Sequence, residues 1–399
     1  MGQVHARSPR ERARIAVSFY AIIFVGISAG SGGVLLPAQM TDYTIDKTTV
    51  GLMFLTFSSG YIACAAANGV LIHRLGIRLH LALGIALALG ALALSAVRPG
   101  YPVFLILQAV LGFGIGSLDA GLNSFLSTLS RATALLNYFH AFFGVGALIG
   151  PVIAAALLAR GLAWNQFLGL LAILLVPLLA LMWLYPAAEP VAQNPVPRPP
   201  ISGALRLSAV WLTAAFLCVY VGLESSVGNW AFTFLTEDRG QQVLAAGWIV
   251  SAFWCGLTLG RFTLNAFAER LGVGVIWLSA TCIGGIAIST LLVWVVATPT
   301  GAAVGLVGLG FFLGPLFPTV IAVLPDLVPH PLVATSIGVL VAFSVVGGAA
   351  FSYVVGASAQ RVGAWVLLPI GFGLSVVLGL LWWRIARRMA APAHAVVIG

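Results

Sequence analysis

Three charged side chains interrupt long apolar stretches of this chain: Asp119, Glu224 and Arg261. Asp119 has Asn123 one turn after it and Gly116 one turn before it, and a helix carries all three on one face. A carboxylate on such a narrow polar stripe can take up a proton and return it as its surroundings change between dry and wet. Glu224 follows Tyr220 by one turn and precedes Gly228, Asn229 and Trp230. A carboxylate beside aromatic rings accepts hydrogen bonds from sugar hydroxyls while a ring covers the apolar face, and it holds a cationic drug equally well. Arg261 shares a helical face with Trp254, Thr258 and Asn265, and His140 shares one with Asn137. Histidine titrates near neutral pH, which makes His140 a candidate relay to Asp119. The expected proton-coupling set is therefore Asp119, Glu224 and His140. The expected substrate-binding set is Asn123, Asn137, Tyr220, Glu224, Asn229, Trp230, Trp254 and Arg261. The alternative roles are a permanent ion pair or helix-helix hydrogen bond for Asp119, helix packing for Glu224 and a bond to a neighbouring helix for His140; Asp119 and Arg261 also fall at similar depth, so they are expected to pair in one conformation.

The elements that must hold these residues follow from composition. Of 399 residues 61% are hydrophobic and 7% charged, against about 45–50% and about 25% in a soluble domain. Ten acids and nineteen bases cannot cover a soluble surface of this size, and soluble enzymes and nucleic-acid-binding proteins are excluded. The net charge of +9 does not mark a nucleic-acid partner either, since Lys47 is the only lysine and the arginines lie between apolar runs. A spanning helix needs about 20 apolar residues. Twelve such spans are predicted, at 15–39, 49–72, 78–97, 102–129, 134–159, 164–186, 207–236, 244–268, 272–296, 300–325, 332–359 and 363–386. The first follows Arg7, Arg10, Arg12 and Arg14 and exceeds the apolar core of a signal peptide, so it reads as a retained helix.

Bases in short loops are held on the cytoplasmic side. Thirteen of the nineteen fall on one side of the spans, five (Lys47, Arg98, Arg160, Arg239 and Arg361) fall on the other, and Arg261 lies inside a span. Both termini are then expected to be cytoplasmic, which requires an even number of crossings. Cys64, Cys218, Cys255 and Cys282 fall inside spans without metal or redox spacing and read as small packing residues.

The longest polar interruption, with Pro190, Pro195, Pro197, Pro199 and Pro200, separates the sixth and seventh spans. It reads as a linker between two halves. Arg74 and Arg270 are 196 residues apart, as are Gly76 and Gly272; at the same offset Gly112 and Gly114 fall on Gly308 and Gly310. Six helices are used twice, as in many secondary transporters. On these features the chain resembles the major facilitator superfamily. Gly69, Arg74, Gly76 and Arg78 match the family's loop signature, with His73 where an acid is expected, and the second copy keeps an acid-base pair as Glu269 and Arg270, followed by Gly272. The resemblance implies that these loop residues take part in gating. Gly116 to Asn123, Asn137 to Gly146, Gly222 to Trp230 and Gly260-Arg261 are similar to the fucose-permease-like, proton-linked sugar branch, although the first span has no acid comparable to the one those permeases use. The stretch Gly146 to Pro151 partly matches the antiporter signature of drug and metabolite exporters, whereas Gln108 stands where exporters carry an arginine ahead of Gly112 and Gly114.

The expected fold is an all-α integral membrane protein with twelve transmembrane helices in two pseudo-symmetric six-helix bundles. Its expected divisions are a cytoplasmic tail 1–14, bundles 15–186 and 207–388, a cytoplasmic linker 187–206 and a tail 389–399. The implied function is proton-coupled symport of a small organic solute, most plausibly a sugar or sugar-like metabolite, across a bacterial inner membrane. The alternative is proton-driven efflux of a drug or secreted metabolite. Protons, a small-molecule substrate and the lipid bilayer are the expected partners, with no cofactor or metal, and a monomer is the default. An enzyme is not expected: no phosphate loop, paired metal ligands or Ser-His arrangement is visible in the spans.

Overall fold

The structure is a computed structural model and describes residues 8–186 and 201–390. Most of the expected linker and parts of both expected tails lie outside the described residues. The described residues form helices and their connections, with no strand among them. In chain order these are α1 (Pro9–Tyr43), α2 (Lys47–Ala96), α3 (Tyr101–Ser127), α4 (Ala132–Ala159), α5 (Trp164–Leu181), α6 (Ile201–Leu205), α7 (Ser208–Thr233), α8 (Val243–Arg270), α9 (Val275–Val295), α10 (Pro299–Leu313), α11 (Leu316–Val323), α12 (Val333–Val362) and α13 (Leu367–Ala390). Eleven helical segments among the described residues are long and apolar enough to cross a membrane, with α10 and α11 together forming one of them.

The twelfth crossing is inside α2. Its 50 residues, at about 1.5 Å each, would run about 75 Å, more than twice the hydrocarbon thickness. Gly76, at φ 74° and ψ 161°, breaks the helical geometry there and separates the second span from the third. Gly272, its partner in the repeat, also takes a positive φ, 67°. Glycine alone adopts that backbone freely, which explains why this residue recurs in both loops. The helix α1 begins six residues before the apolar run it contains: Ser8 Oγ accepts from Glu11 N at 3.2 Å and Pro9 occupies the first turn, a capped start that hydrophobicity does not register.

The described residues divide into two compact units, one within Met1–Ile45 and Leu55–Gln193, the other within Asp46–Phe54 and Asn194–Gly399. Residues 46–54, the first turns of α2, thus pack with the second unit. Lys47 Nζ meets Glu237 at 2.8 Å, Lys47 N donates to Gln360 Oε1 at 2.9 Å, and Phe54 lies edge-on to Trp230 at 6.2 Å.

Within each unit, helices join through glycine. α1 packs on α4 and α7 on α12; a Cβ added at Gly146 would fall 2.1 Å from Ile23 O, and one at Gly347 2.0 Å from Cys218 O. α2 meets α3 as α8 meets α10. A Cβ at Gly60 would lie 1.8 Å from Ala109 O and one at Gly256 2.2 Å from Val307 O, while Gly112 and Gly310 would strike Phe57 O and Phe253 O at 1.9 and 2.1 Å. Such close approach is how helices associate without a hydrophobic drive. It also corrects the expected register: Gly112 corresponds to Gly310, and Gly116 to Gly314, at an offset of 198 rather than 196. The second half therefore gains two residues between Gly272 and Gly310.

In the first unit, residues expected on one membrane side meet at one end. Arg14 Nε donates to Leu184 O at 2.7 Å and Arg78 Nε to Tyr185 O at 2.6 Å. At the other end Asp42 accepts from Trp164 Nε1 at 2.9 Å and pairs with Arg98 at 3.4 Å. Large apolar side chains such as Ile106, Ile173, Trp277 and Ile288 stand exposed, a surface that suits lipid and not water.

Candidate functional site

In the first unit the polar centre lies between α2 and α3. Gly116 lets the two helices close up: an added Cβ would sit 3.2 Å from both Tyr61 O and Cys64 Cβ. One turn further along α3, Asp119 accepts a hydrogen bond from the Tyr61 hydroxyl. Asn123 Nδ2 donates to Asp119 Oδ1 and to the Asp119 carbonyl, each at 2.9 Å. The Cys64 thiol and Ser117 hydroxyl, 3.1 Å apart, tie the helices on the neighbouring face. Asp119, Tyr61 and Asn123 are all half-buried, and both groups that hold the carboxylate are neutral donors. Tyr61 is not in the expected set. Its only signal in the sequence is a phenol amid an apolar, glycine-bearing span, and nothing in the spacing ties it to a residue 58 positions away.

The second unit builds a different centre between α7 and α8. Tyr220, Glu224 and Gly228 form a stripe on α7, and the antiparallel α8 presents Arg261, Thr258 and Trp254. Arg261 and Glu224 act on each other electrostatically, and Arg261 Nε also reaches the Gly314 carbonyl at 3.4 Å. The Tyr220 phenol is fully buried beside both; Phe317 packs on its ring at 6.1 Å. Trp254 covers Gly228, where an added Cβ would fall 2.8 Å from the indole, and its buried N–H is unbonded. Glu224 and Arg261 are half-buried. Within its own unit Arg261 thus acts electrostatically on Glu224, a relation that depth alone does not single out.

Other expected site residues lie elsewhere. Asn229 Nδ2 donates to Ser352 Oγ at 3.0 Å and Trp230 Nε1 to Ser352 O at 2.8 Å, so both join α7 to α12. Asn137 and His140 are exposed near the start of α4. Of the loop residues, Gly69, Arg74, Glu269 and Arg270 are exposed, while Arg78 is committed to Tyr185 O and stacks over Trp183 at 5.3 Å.

Twelve membrane crossings in two repeated units, each with a carboxylate partway along a span, define a membrane transporter. The chain belongs to the major facilitator superfamily, whose description matches residues 18–349. Among its relatives, "Bypass of stop codon protein 6" of Saccharomyces cerevisiae is 26% identical across 94% of this chain and 83% of its own length. The "Glucose/galactose transporter" of Brucella abortus is 27% identical across 84% of this chain and 86% of its own. Among solved structures, a mutant form of the nucleoside transporter NupG superposes with a TM-score of 0.78 at 14% identity, covering 94% of this chain and 99% of that one; that likeness is one of fold.

Proposed function

We propose that the protein couples uptake of a small polar solute, a sugar or sugar-like metabolite, to proton entry across a bacterial inner membrane by alternating access, with both termini cytoplasmic. The observation that carries this reading is the half-buried Asp119 held by the neutral donors Tyr61 and Asn123. Its hydrogen-bond partners set no fixed counter-charge against it, unlike those of an ion pair. Glu224 and Trp254 offer an acceptor and an indole N–H to a hydroxyl-bearing solute, beside rings that can cover an apolar face. A sugar-transporting relative supports the substrate class.

The test places the purified chain in liposomes loaded with a pH-sensitive dye, with no imposed ion gradient, and adds sugars and then lipophilic cations. Proton entry that accompanies inward sugar movement and vanishes in Asp119→Asn is the expected result. Proton movement opposite to the added compound would assign exchange, and hence efflux, instead. Unchanged coupling in Asp119→Asn would remove Asp119 from the mechanism.

A further inference from the structure

The inner end of the second unit carries a feature that solute transport does not use. The first turn of α7 and the last turns of α13 border an open recess of about 580 Å³ lined by Ser208, Trp211, Trp383, Arg384, Arg387 and Arg388. Among the described residues three guanidinium groups border it and no carboxylate does. Arg388 donates to Ser208 Oγ at 3.1 Å, and Arg387 lies over the Trp383 ring at 4.1 Å. These contacts hold two of the cations at the mouth, where all three arginines remain exposed. Trp211 donates to Leu205 O at 2.8 Å, which fixes its ring on the opposite wall. α7 begins at Ser208 after Leu207, with no side-chain cap among the described residues, so the helix turns its positive end toward the same recess.

We propose that this recess binds the phosphate headgroup of an anionic phospholipid of the inner leaflet. Charge complementarity selects an anion, and three arginine forks suit phosphate oxygens, which they can hold in pairs. Position selects the lipid over a soluble anion. The recess lies where α7 and α13 leave the apolar zone, and Trp211 and Trp383, both largely exposed, are the amphipathic rings that settle at a membrane interface. Basic pockets between spanning helices on the cytoplasmic side hold anionic headgroups in this way. Occupation would bridge α7 and α13, adding to the Arg388–Ser208 contact that already ties them.

Native mass spectrometry of the full chain, titrated in detergent with phosphatidylglycerol or phosphatidylcholine, tests this directly. Wild type is expected to retain phosphatidylglycerol preferentially, and the triple variant Arg384→Gln, Arg387→Gln, Arg388→Gln to lose at least about tenfold in that retention. The triple lysine variant, which keeps the charge, should keep most of it, and Arg270→Gln, on the same membrane side, should keep all of it. Equal retention of the two lipids by wild type would overturn the proposal even if the glutamine variant failed to fold. Undiminished retention by a folded glutamine variant would also overturn it. Displacement of the lipid by millimolar inorganic phosphate would reassign the recess to a soluble anion and overturn the lipid assignment.

Discussion

The two units share a skeleton and differ in their charge chemistry. Gly60 and Gly256 place α2 on α3 and α8 on α10 by the same backbone contact. Yet Asp119 of the first unit corresponds, at the structural offset of 198, to Phe317 of the second, and that phenylalanine packs on Tyr220. The first unit holds its carboxylate with a phenol and an amide; the second sets Glu224 against a guanidinium. The hydrogen-bond partners of Asp119 are neutral, whereas Glu224 faces a charge of the opposite sign. The arginine-bearing ends differ in the same sense. Arg14 and Arg78 are spent on main-chain carbonyls closing the sixth span, but Arg384, Arg387 and Arg388 remain exposed around an open recess. Duplication preserved the backbone-to-backbone joints, where no side chain fits, and left the polar positions free to diverge.

The shared skeleton gives the largest expected effects. Gly60→Ala and Gly256→Ala should each destabilise by about 3 kcal/mol or more, because the added methyl meets carbonyl oxygen that cannot swing aside; thermal unfolding in detergent should show similar losses for the two. A tolerated alanine in one unit alone would break the equivalence. Next, Asp119→Asn should cut proton-coupled flux about a hundredfold, an effect of about 2.7 kcal/mol, with little change in thermal stability, since asparagine can still accept from Tyr61. Glu224→Gln should behave oppositely, lowering stability by leaving Arg261 without its counter-charge. Arg261→Gln in the same chain should recover about 1 kcal/mol of that loss in a double-mutant cycle. Additive losses would show that the two charges do not communicate. Tyr61→Phe removes one neutral donor and should slow coupled flux about fivefold, the worth of about 1 kcal/mol. The smallest effect concerns the start of α2, where Thr49 N donates to Asp46 Oδ1 at 2.7 Å. The Thr49 contacts hold the Asp46 carboxyl below its usual range, so its contribution is present above the ordinary carboxylate pKa and lost as pH falls through the lowered folded value. Asp46→Ala should cost about 0.5 kcal/mol near neutral pH, and the gap from wild type should close in acid; a gap that persists in acid would deny the carboxylate this role.

What was legible in the sequence was local. The spacing of Asp119 and Asn123 implied a shared face, and the hydrogen bonds between them lie on it. Tyr220 and Glu224 likewise share a stripe, and the recurring loop glycines Gly76 and Gly272 both take a positive φ. Contacts between helices were not legible, because period fixes a face but not the rotation of one helix against another. Tyr61 could not be linked to Asp119 on that basis, nor Arg261 to Glu224. Asn229 and Trp230 read as solute contacts beside Glu224, but Ser352 of α12 takes both. The two-residue gain in the second half was hidden because neighbouring glycines in the Gly112 region match at either offset.

The break at Gly76 bears on how the chain enters its membrane. Helix continues on both sides of that single residue, leaving almost no slack between the second and third spans. One of them cannot wait in the aqueous phase while the other crosses, so the two must insert together as a hairpin. Whatever sets the orientation of the second span during synthesis therefore sets that of the third.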